Sequence, residues 1–490
     1  MRKTAVVLLV AATGALLNYA VPPFQNPDEP LHLAMILRFA RGDAKAEADE
    51  AEIVRIMKRF NWWRLIGTRP PETEPAKLEE IPFLVQNYEV EDYGALLNNV
   101  VAYHFAMAKI VRIFGGAEEK KGVLLSYFIV RLTSFLFFAA AIGVAYTTFR
   151  RFSGYLSYGF FFVLFLPQLA VNSIGVNPDA AILLMGSIFF SAAFGLVGGR
   201  VSAKEVLLRF AVICISAAAA VLLDKSAFIF LPLGILVFIF YMTRKNYQDV
   251  IVWMLLLSIV FILSVYFLSL AFPLKMESAV LLLKGMAARA KSSAGSIFSF
   301  DALNKRFITL FTDSFFLRFG WKAFGGGRVV DWSWRILVLL TSLGVGLWSA
   351  RLLWRKFIDR VKKINAEMEK EKSGTETSAE PAALVEGATD RLWRIVLLSI
   401  LAVGLQILVV RLAVAPDVMY AQGRYLFPFV IPVAILFVLG LKNIFDNFGR
   451  RGIFGLKIIL TAMFVFFAYV IVGLMIPAFQ MTVKSPFPGI

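Results

Sequence analysis

Apolar and polar positions follow one another along this chain in long blocks. Apolar blocks occupy 4–21, 123–148, 155–174, 180–198, 206–223, 226–242, 250–272, 335–352, 392–414, 424–441 and 453–476. Many reach the roughly 18–20 residues that carry a helix across about 30 Å of hydrocarbon. The pattern predicts an all-α polytopic membrane protein with about 11 transmembrane helices. A β-barrel would show shorter, alternating segments. A further block, 97–114, is short and carries His104, Lys109 and Arg112. It is expected to be an interfacial helix lying on the membrane.

Composition agrees with a membrane protein: of 490 residues, 59% are hydrophobic and 17% charged. The net charge of +17 is what Lys- and Arg-rich cytoplasmic loops produce. No basic, aromatic-interleaved soluble segment points to nucleic acid. The N-terminus, Met1-Arg2-Lys3 before an apolar run, lacks a small-residue cleavage site and predicts an uncleaved first span. The single cysteine, Cys214, allows no internal disulfide.

Charge in the short loops sets the expected orientation. Arg150-Arg151, Arg200 with Lys204, Arg244-Lys245 and Arg450-Arg451 all fall on one face if the N-terminus is cytoplasmic. The outer face then holds a long first loop, 22–122, with its interfacial helices, a turn near 175–179, a second long loop, 273–334, and a turn at 415–423. A charged segment, 353–391, forms a cytoplasmic linker whose part 364–390 reads as flexible. All of this makes one transmembrane domain, 1–490.

Polar residues gather on that outer face. Asp28 and Glu29 stand between prolines in Pro22-Pro23-Phe24-Gln25-Asn26-Pro27-Asp28-Glu29-Pro30-Leu31-His32. Asn177-Pro178-Asp179 occupies a turn between spans, Asp224-Lys225 interrupts an apolar hairpin, and Gln422-Gly423-Arg424-Tyr425 opens a span. Each has a plainer reading. The two acids suit a helix start, with Pro30 at its first position and the helix running through Arg41. Asp179 suits a cap, and Lys225 and Arg424 suit snorkelling anchors. His32 and His104 match no zinc spacing. Neither a phosphate loop nor a Ser/His/Asp triad is present in the sequence.

An N-terminal span followed directly by P-P-F-x-x-P-D-E-x-x-H resembles the GT-C superfamily of integral-membrane glycosyltransferases. Asn177-Pro178-Asp179, the aromatic stretch Ser314 to Trp321, and Gln422-Gly423-Arg424-Tyr425-Leu426-Phe427-Pro428 follow in the expected order. Within that superfamily the chain is most similar to a bacterial family of polytopic membrane proteins of unknown function. The resemblance implies a GT-C-like fold in a bacterial inner (plasma) membrane, with an extracytoplasmic active face. It implies a sugar donor on a polyprenyl phosphate and a glycan or lipid acceptor in the cell envelope. In that frame Asp28 is the expected base and Glu29 a second catalytic or positioning acid. His32, Asp179, Lys225, Trp321, Gln422, Arg424 and Tyr425 are expected to bind substrate, with Arg424 and Lys225 facing phosphate. The aromatics Trp321 and Tyr425 equally suit the membrane-interface belt. Asp28, Glu29 and Asp179 are the expected ligands should Mg²⁺ or Mn²⁺ take part. A flippase for lipid-linked glycans, a polysaccharide polymerase or ligase, and an inactive scaffold are the competing functions.

Overall fold

The computed structural model describes residues 3–24, 28–60, 101–116, 122–152, 154–198, 202–242, 312–316, 327–373, 383–410, 423–447 and 452–477. It also describes Trp62, Leu78, Ile81 and the pairs 318–319 and 324–325. Nearly all of it is helical. In chain order the helices are α1 (Lys3–Ala20), α2 (Glu29–Arg41), α3 (Ala46–Arg59), α4 (Val101–Ile113), α5 (Gly122–Arg150), α6 (Gly159–Leu164), α7 (Pro167–Asn172), α8 (Asp179–Gly198), α9 (Ala203–Leu223), α10 (Phe230–Met242), α11 (Gly327–Ser373), α12 (Ala383–Val409), α13 (Val430–Asn447) and α14 (Gly452–Tyr469). A 3₁₀ segment, Gly423–Phe429, leads into α13, and a π-turn, Val470–Met475, ends α14. Two-residue strands β1 (Arg318–Phe319) and β2 (Phe324–Gly325) pair antiparallel, Arg318 opposite Gly325.

Among the described residues, 7 helices are long and apolar enough to cross a membrane: Gly122–Arg150, Asp179–Gly198, Ala203–Leu223, Arg328–Asp359, Arg391–Val409, Gly423–Asn447 and Gly452–Met475. Three further predicted spans correspond to the shorter apolar helices Val6–Asn18, Gly154–Leu164 and Ala227–Tyr241. Block 250–272 lies outside the described residues, as does most of the 273–334 loop.

Block 155–174 is not one continuous helix, contrary to expectation. Pro167 has no amide hydrogen and its ring crowds the residue before it. Leu166 accordingly turns extended (φ −86°, ψ 103°), and the chain restarts as α7. The linker also differs from expectation. The helix of α11 continues through Ser373, and α12 begins at Ala383, so only 374–382 lie outside the described residues. Glu, Lys, Met and Ala in 364–373 are good helix formers, and low hydrophobicity alone did not reveal that. Block 97–114 contains α4, whose 13 residues span only about 20 Å.

The packing divides into two cores. One gathers α1 and α5 to α14. The other gathers Phe24, α2, α3, α4 and the start of α5, together with Val176. Helix α2 is buried on nearly every side, including Glu29 and His32. It is therefore an interior element of this second layer. Helix α9 starts with a reciprocal cap. Ser202 accepts from the Glu205 amide, and the Glu205 carboxylate accepts from the Ser202 amide.

Two close crossings of backbone fix the bundle. A Cβ on Gly344 would lie 2.0 Å from the Gly440 carbonyl oxygen, and one on Gly440 2.2 Å from that of Thr341. Small residues allow this approach of α11 and α13. Asn443 adds a hydrogen bond to the Gly344 carbonyl (2.9 Å). At the second crossing, a Cβ on Gly186 would lie 2.2 Å from the Pro428 carbonyl oxygen. This contact presses α8 against the 423–429 segment.

Gly186→Leu is accordingly expected to destabilise the protein by about 1–3 kcal/mol or more, because backbone cannot yield as a side chain does. Gly143, with nothing within 4 Å of its would-be Cβ, should accept Ala within about 1 kcal/mol of the parent. Thermal unfolding of both variants in one detergent checks the contrast.

Candidate functional site

The site begins where α1 ends. Arg131 lies inside α5, fully buried, and donates to the carbonyls of Val21 (2.7 Å) and Leu17 (3.4 Å). The Val21 carbonyl lies just past the helix end, while the Leu17 carbonyl also accepts from the Val21 amide (2.9 Å). One helical turn away, the Tyr127 hydroxyl accepts from the Phe24 amide (3.4 Å) and donates to Glu29 Oε1 (3.2 Å). The same Glu29 oxygen accepts from the Val176 amide at 2.9 Å. Trp62 Nε1 donates to the Phe24 carbonyl at 2.8 Å. The stretch around Asp28 is thus held from α5 and from the turn preceding α8.

Asp28 itself sits at φ 68°, ψ 0°, in the left-handed region, and its side chain makes no capping bond to α2. Asp is one of the few residues that tolerates this conformation. The carboxylate is turned instead toward Arg424, whose Nη2 donates to Asp28 Oδ2 at 3.0 Å. Arg424 Nη1 lies 3.7 Å from Asp179 Oδ2, making a second ion pair. The guanidinium also lies over the Tyr425 ring, 5.7 Å from its centre. Asp28, Asp179 and Arg424 keep 13%, 18% and 12% of their side-chain surface exposed, so the cluster is nearly closed yet reachable. Asp224 is near enough for its charge to act on Asp179 and Tyr425.

The segment carrying Arg424 is itself pinned. Ser314 Oγ accepts from the Gly423 amide (2.7 Å), and Gln406 Nε2 donates to the Tyr425 carbonyl (2.9 Å). Phe429 stacks on Phe230 with ring centres 5.1 Å apart. Asp179 opens α8, and Asn177 Oδ1 accepts its amide at 3.1 Å. The amide at this helix end is therefore taken by Asn177, and the Asp179 carboxylate faces Arg424.

Not all the expected site residues share this centre. Glu29 has no exposed surface and accepts from the Tyr127 hydroxyl and the Val176 amide. His32 is buried against His104, with Nδ1 and Nε2 2.9 Å apart and the rings stacked. One nitrogen of that contact must donate and the other accept. Burial, followed by the Arg424 charge, pushes the His32 pKa down to about 3. Tyr103 packs edge-on to both imidazoles, and burial pushes its phenol up, so it stays protonated. Lys225 opens a 3₁₀ turn after α9, while its side chain, Trp321 and Gln422 lie outside the described residues.

Of the three carboxylates expected to hold a divalent cation, Asp28 and Asp179 contact the Arg424 guanidinium, and Glu29 accepts from Tyr127 and Val176. Among the described residues no group of three His, Cys, Asp or Glu is placed to hold a metal ion. Residues not singled out from sequence as site members include Tyr103, Asn177, Tyr127, Arg131 and Asp224. Of these, Asn177 and Asp224 stood in the polar clusters already noted.

Neither a protein-family model, nor a curated protein, nor a solved structure matches this chain.

The low His32 pKa makes acid destabilising. Below pH 6.5 the unfolded chain takes up a proton that the folded chain refuses until about pH 3. Stability must fall as pH drops through that window, by up to about 1.4 kcal/mol per unit from this group. Above pH 6.5 the group contributes no slope. Melting temperatures between pH 7.5 and 4.5 should show a shallower acid decline for His32→Gln than for the parent.

Proposed function

We propose that this protein is a membrane glycosyltransferase of GT-C type, moving a sugar from a polyprenyl-phosphate carrier to a hydroxyl of an envelope glycan or lipid on the extracytoplasmic face. The observation that carries this reading is the Asp28–Arg424–Asp179 cluster. It brings together a first-loop acid and a guanidinium 396 positions away, at the ends of apolar helices. The chemistry each residue offers supports it. Arg424 is a planar fork matched to phosphate oxygens. Arrival of a phosphate gives that fork a competing anion and frees Asp28 from the ion pair. Asp28 then takes the proton of the acceptor hydroxyl. The acceptor oxygen bonds to the anomeric carbon as the bond from that carbon to the carrier oxygen breaks. The carrier phosphate leaves with the electron pair, its charge met by Arg424. Asp28 is kept inactive by its ion pair until the carrier binds, which protects the activated sugar from water. Glu29 and Tyr127 set the height of Asp28 and take no part in proton transfer.

The experiment is native mass spectrometry of the protein from membranes, followed by a transfer assay with the lipid it retains. Arg424→Ala is expected to lose a co-purifying polyprenyl-phosphate lipid. Asp28→Asn, which suits the left-handed backbone, should retain the lipid and lose about 10²–10⁴-fold in turnover. Full turnover by Asp28→Asn, or no carrier bound even when added, would overturn the reading. Translocation of the lipid without transfer would put the flippase in its place, and chain-length growth of the product a polymerase.

A further inference from the structure

Helix α11 is far longer than a bilayer requires. Its 47 residues run unbroken from Gly327 to Ser373, about 70 Å at 1.5 Å per residue, against about 30 Å of hydrocarbon. One face is taken by the bundle. Trp334 and Leu352 are buried, Gly344 meets the Gly440 backbone, and Arg351 donates to Asn443 and Asn447 of α13 (3.3 and 2.6 Å). Beyond Leu352 that packing stops. From Leu353 to Asn365 every described side chain is exposed except Ile358, which is half-buried.

The opposite face carries a continuous apolar stripe. In its first half, Trp332, Ile336, Leu339, Leu343 and Leu347 keep 43–59% of their surface exposed. Lipid can cover these. The stripe then passes Ala350 and goes on through Trp354, Phe357, Val361 and Ile364, which are 38–63% exposed. Arg355, Lys356, Asp359 and Lys362 stand exposed between them. Those charges take the second half out of the hydrocarbon, and the apolar residues go with it. Trp332 to Ile364 measures about 48 Å along the axis, so lipid tails cover about 30 Å of it. The helix is unbroken, so its end cannot fold down onto the bilayer surface. An apolar stripe of this length left in water marks an interaction surface.

Its spacing says what kind. The positions step by three and four residues, as a coiled-coil seam does, with one doubled step of four over 339, 343 and 347. On the rim, Ser342, Gly346 and Ala350 repeat every four residues and are exposed. A Cβ on Gly346 would have nothing within 4 Å. Small residues at that spacing let two helix backbones approach within a membrane.

The occupant must cross the bilayer at the same depth and continue equally far beyond it. Block 250–272 of the same chain, outside the described residues, would reach about 35 Å as a helix, too short for the stripe. A second copy meets the requirement by symmetry. A two-fold axis along the membrane normal sets the two α11 helices parallel, with each residue near its own mate. The nine large apolar side chains of the stripe expose on the order of 1,000 Å², against the roughly 800 Å² per partner that a stable interface buries. We propose that α11 is a dimer seam, pairing in parallel with α11 of a second copy from the hydrocarbon out into water. This pairing does not depend on the transferase reading of the Asp28–Arg424–Asp179 cluster.

Single cysteines in a Cys214→Ala background of the full chain, oxidised in native membranes, provide the test. Phe357→Cys and Ile364→Cys should each give a disulfide-linked dimer of the chain, because symmetry sets each beside its own mate. Lys356→Cys, on another face of the helix, should not. Adding Gly346→Leu, which blocks backbone approach, should lower cross-linking of Ile364→Cys about tenfold or more. Adding Val361→Asp, which sets two carboxylates face to face, should do the same. Circular dichroism is expected to show both variants folded, and the cysteine pattern decides the matter even if one is not. Absence of a dimer at both stripe positions, the result if lipid alone covers this face, overturns the seam. So does equal cross-linking at Lys356→Cys, which random collision would give. Cross-linking to a different protein overturns the second copy as the occupant.

Discussion

A carboxylate with no exposed surface must be met by hydrogen-bond donors or it will not stay charged in an apolar interior. Glu29 meets that demand by taking the Tyr127 hydroxyl from α5 and the Val176 amide from the turn before α8. Those two bonds tie the layer of short helices to the bundle of long ones. Everything polar nearby is placed by that tie. Asp28, the next residue, has its backbone turned left-handed, and Asn177, the residue after Val176, sits where it can hold the start of α8. Breaking the Glu29 bonds would release both sides of the cluster together, because a half-satisfied buried network costs more than none.

Around this fixed point the charges follow an order. Arg131 ends α1 by holding its last carbonyls, and so determines where the chain leaves the helix. Glu29 sets the depth of α2. Arg424, carried by a segment whose Pro428 presses onto Gly186 of α8, closes the cluster against two acids from elsewhere in the chain. An arginine is the suitable residue there, because one planar group reaches Asp28 and Asp179 from different nitrogens. A lysine ammonium is a single point charge and would favour one acid over the other.

Much of this was legible in the sequence, and the rest was hidden for identifiable reasons. Long apolar blocks exposed the helices because span length is a physical requirement. Asp28, Asp179 and Arg424 stood out as charges at the ends of such blocks, and all three meet. The break at 155–174 was signalled by Pro167, which hydropathy does not weigh. Arg131 was invisible because a single cation inside a long apolar helix resembles noise until its carbonyl partners are seen. Tyr103 and His104 lie on a helix too short and too polar to count as a span, and only its packing against α2 reveals them. Glu29 and Asp28 look interchangeable as neighbours in sequence. Their different partners, Arg424 for Asp28 and Tyr127 with Val176 for Glu29, go with the left-handed turn at Asp28, which no composition measure reports.

That turn also limits how the chain can diverge. At φ 68° the position favours Asp, Asn or Gly and disfavours nearly everything else. A glutamate would keep the charge and lose the backbone, while an asparagine would keep the backbone and lose the charge. Each permitted replacement of aspartate is a single nucleotide away, and each discards the carboxylate at once. The position therefore has no gradual route by which to weaken its acid. Descendants of this sequence either keep Asp28 as it is or become, in one step, proteins that fold in the same way without it.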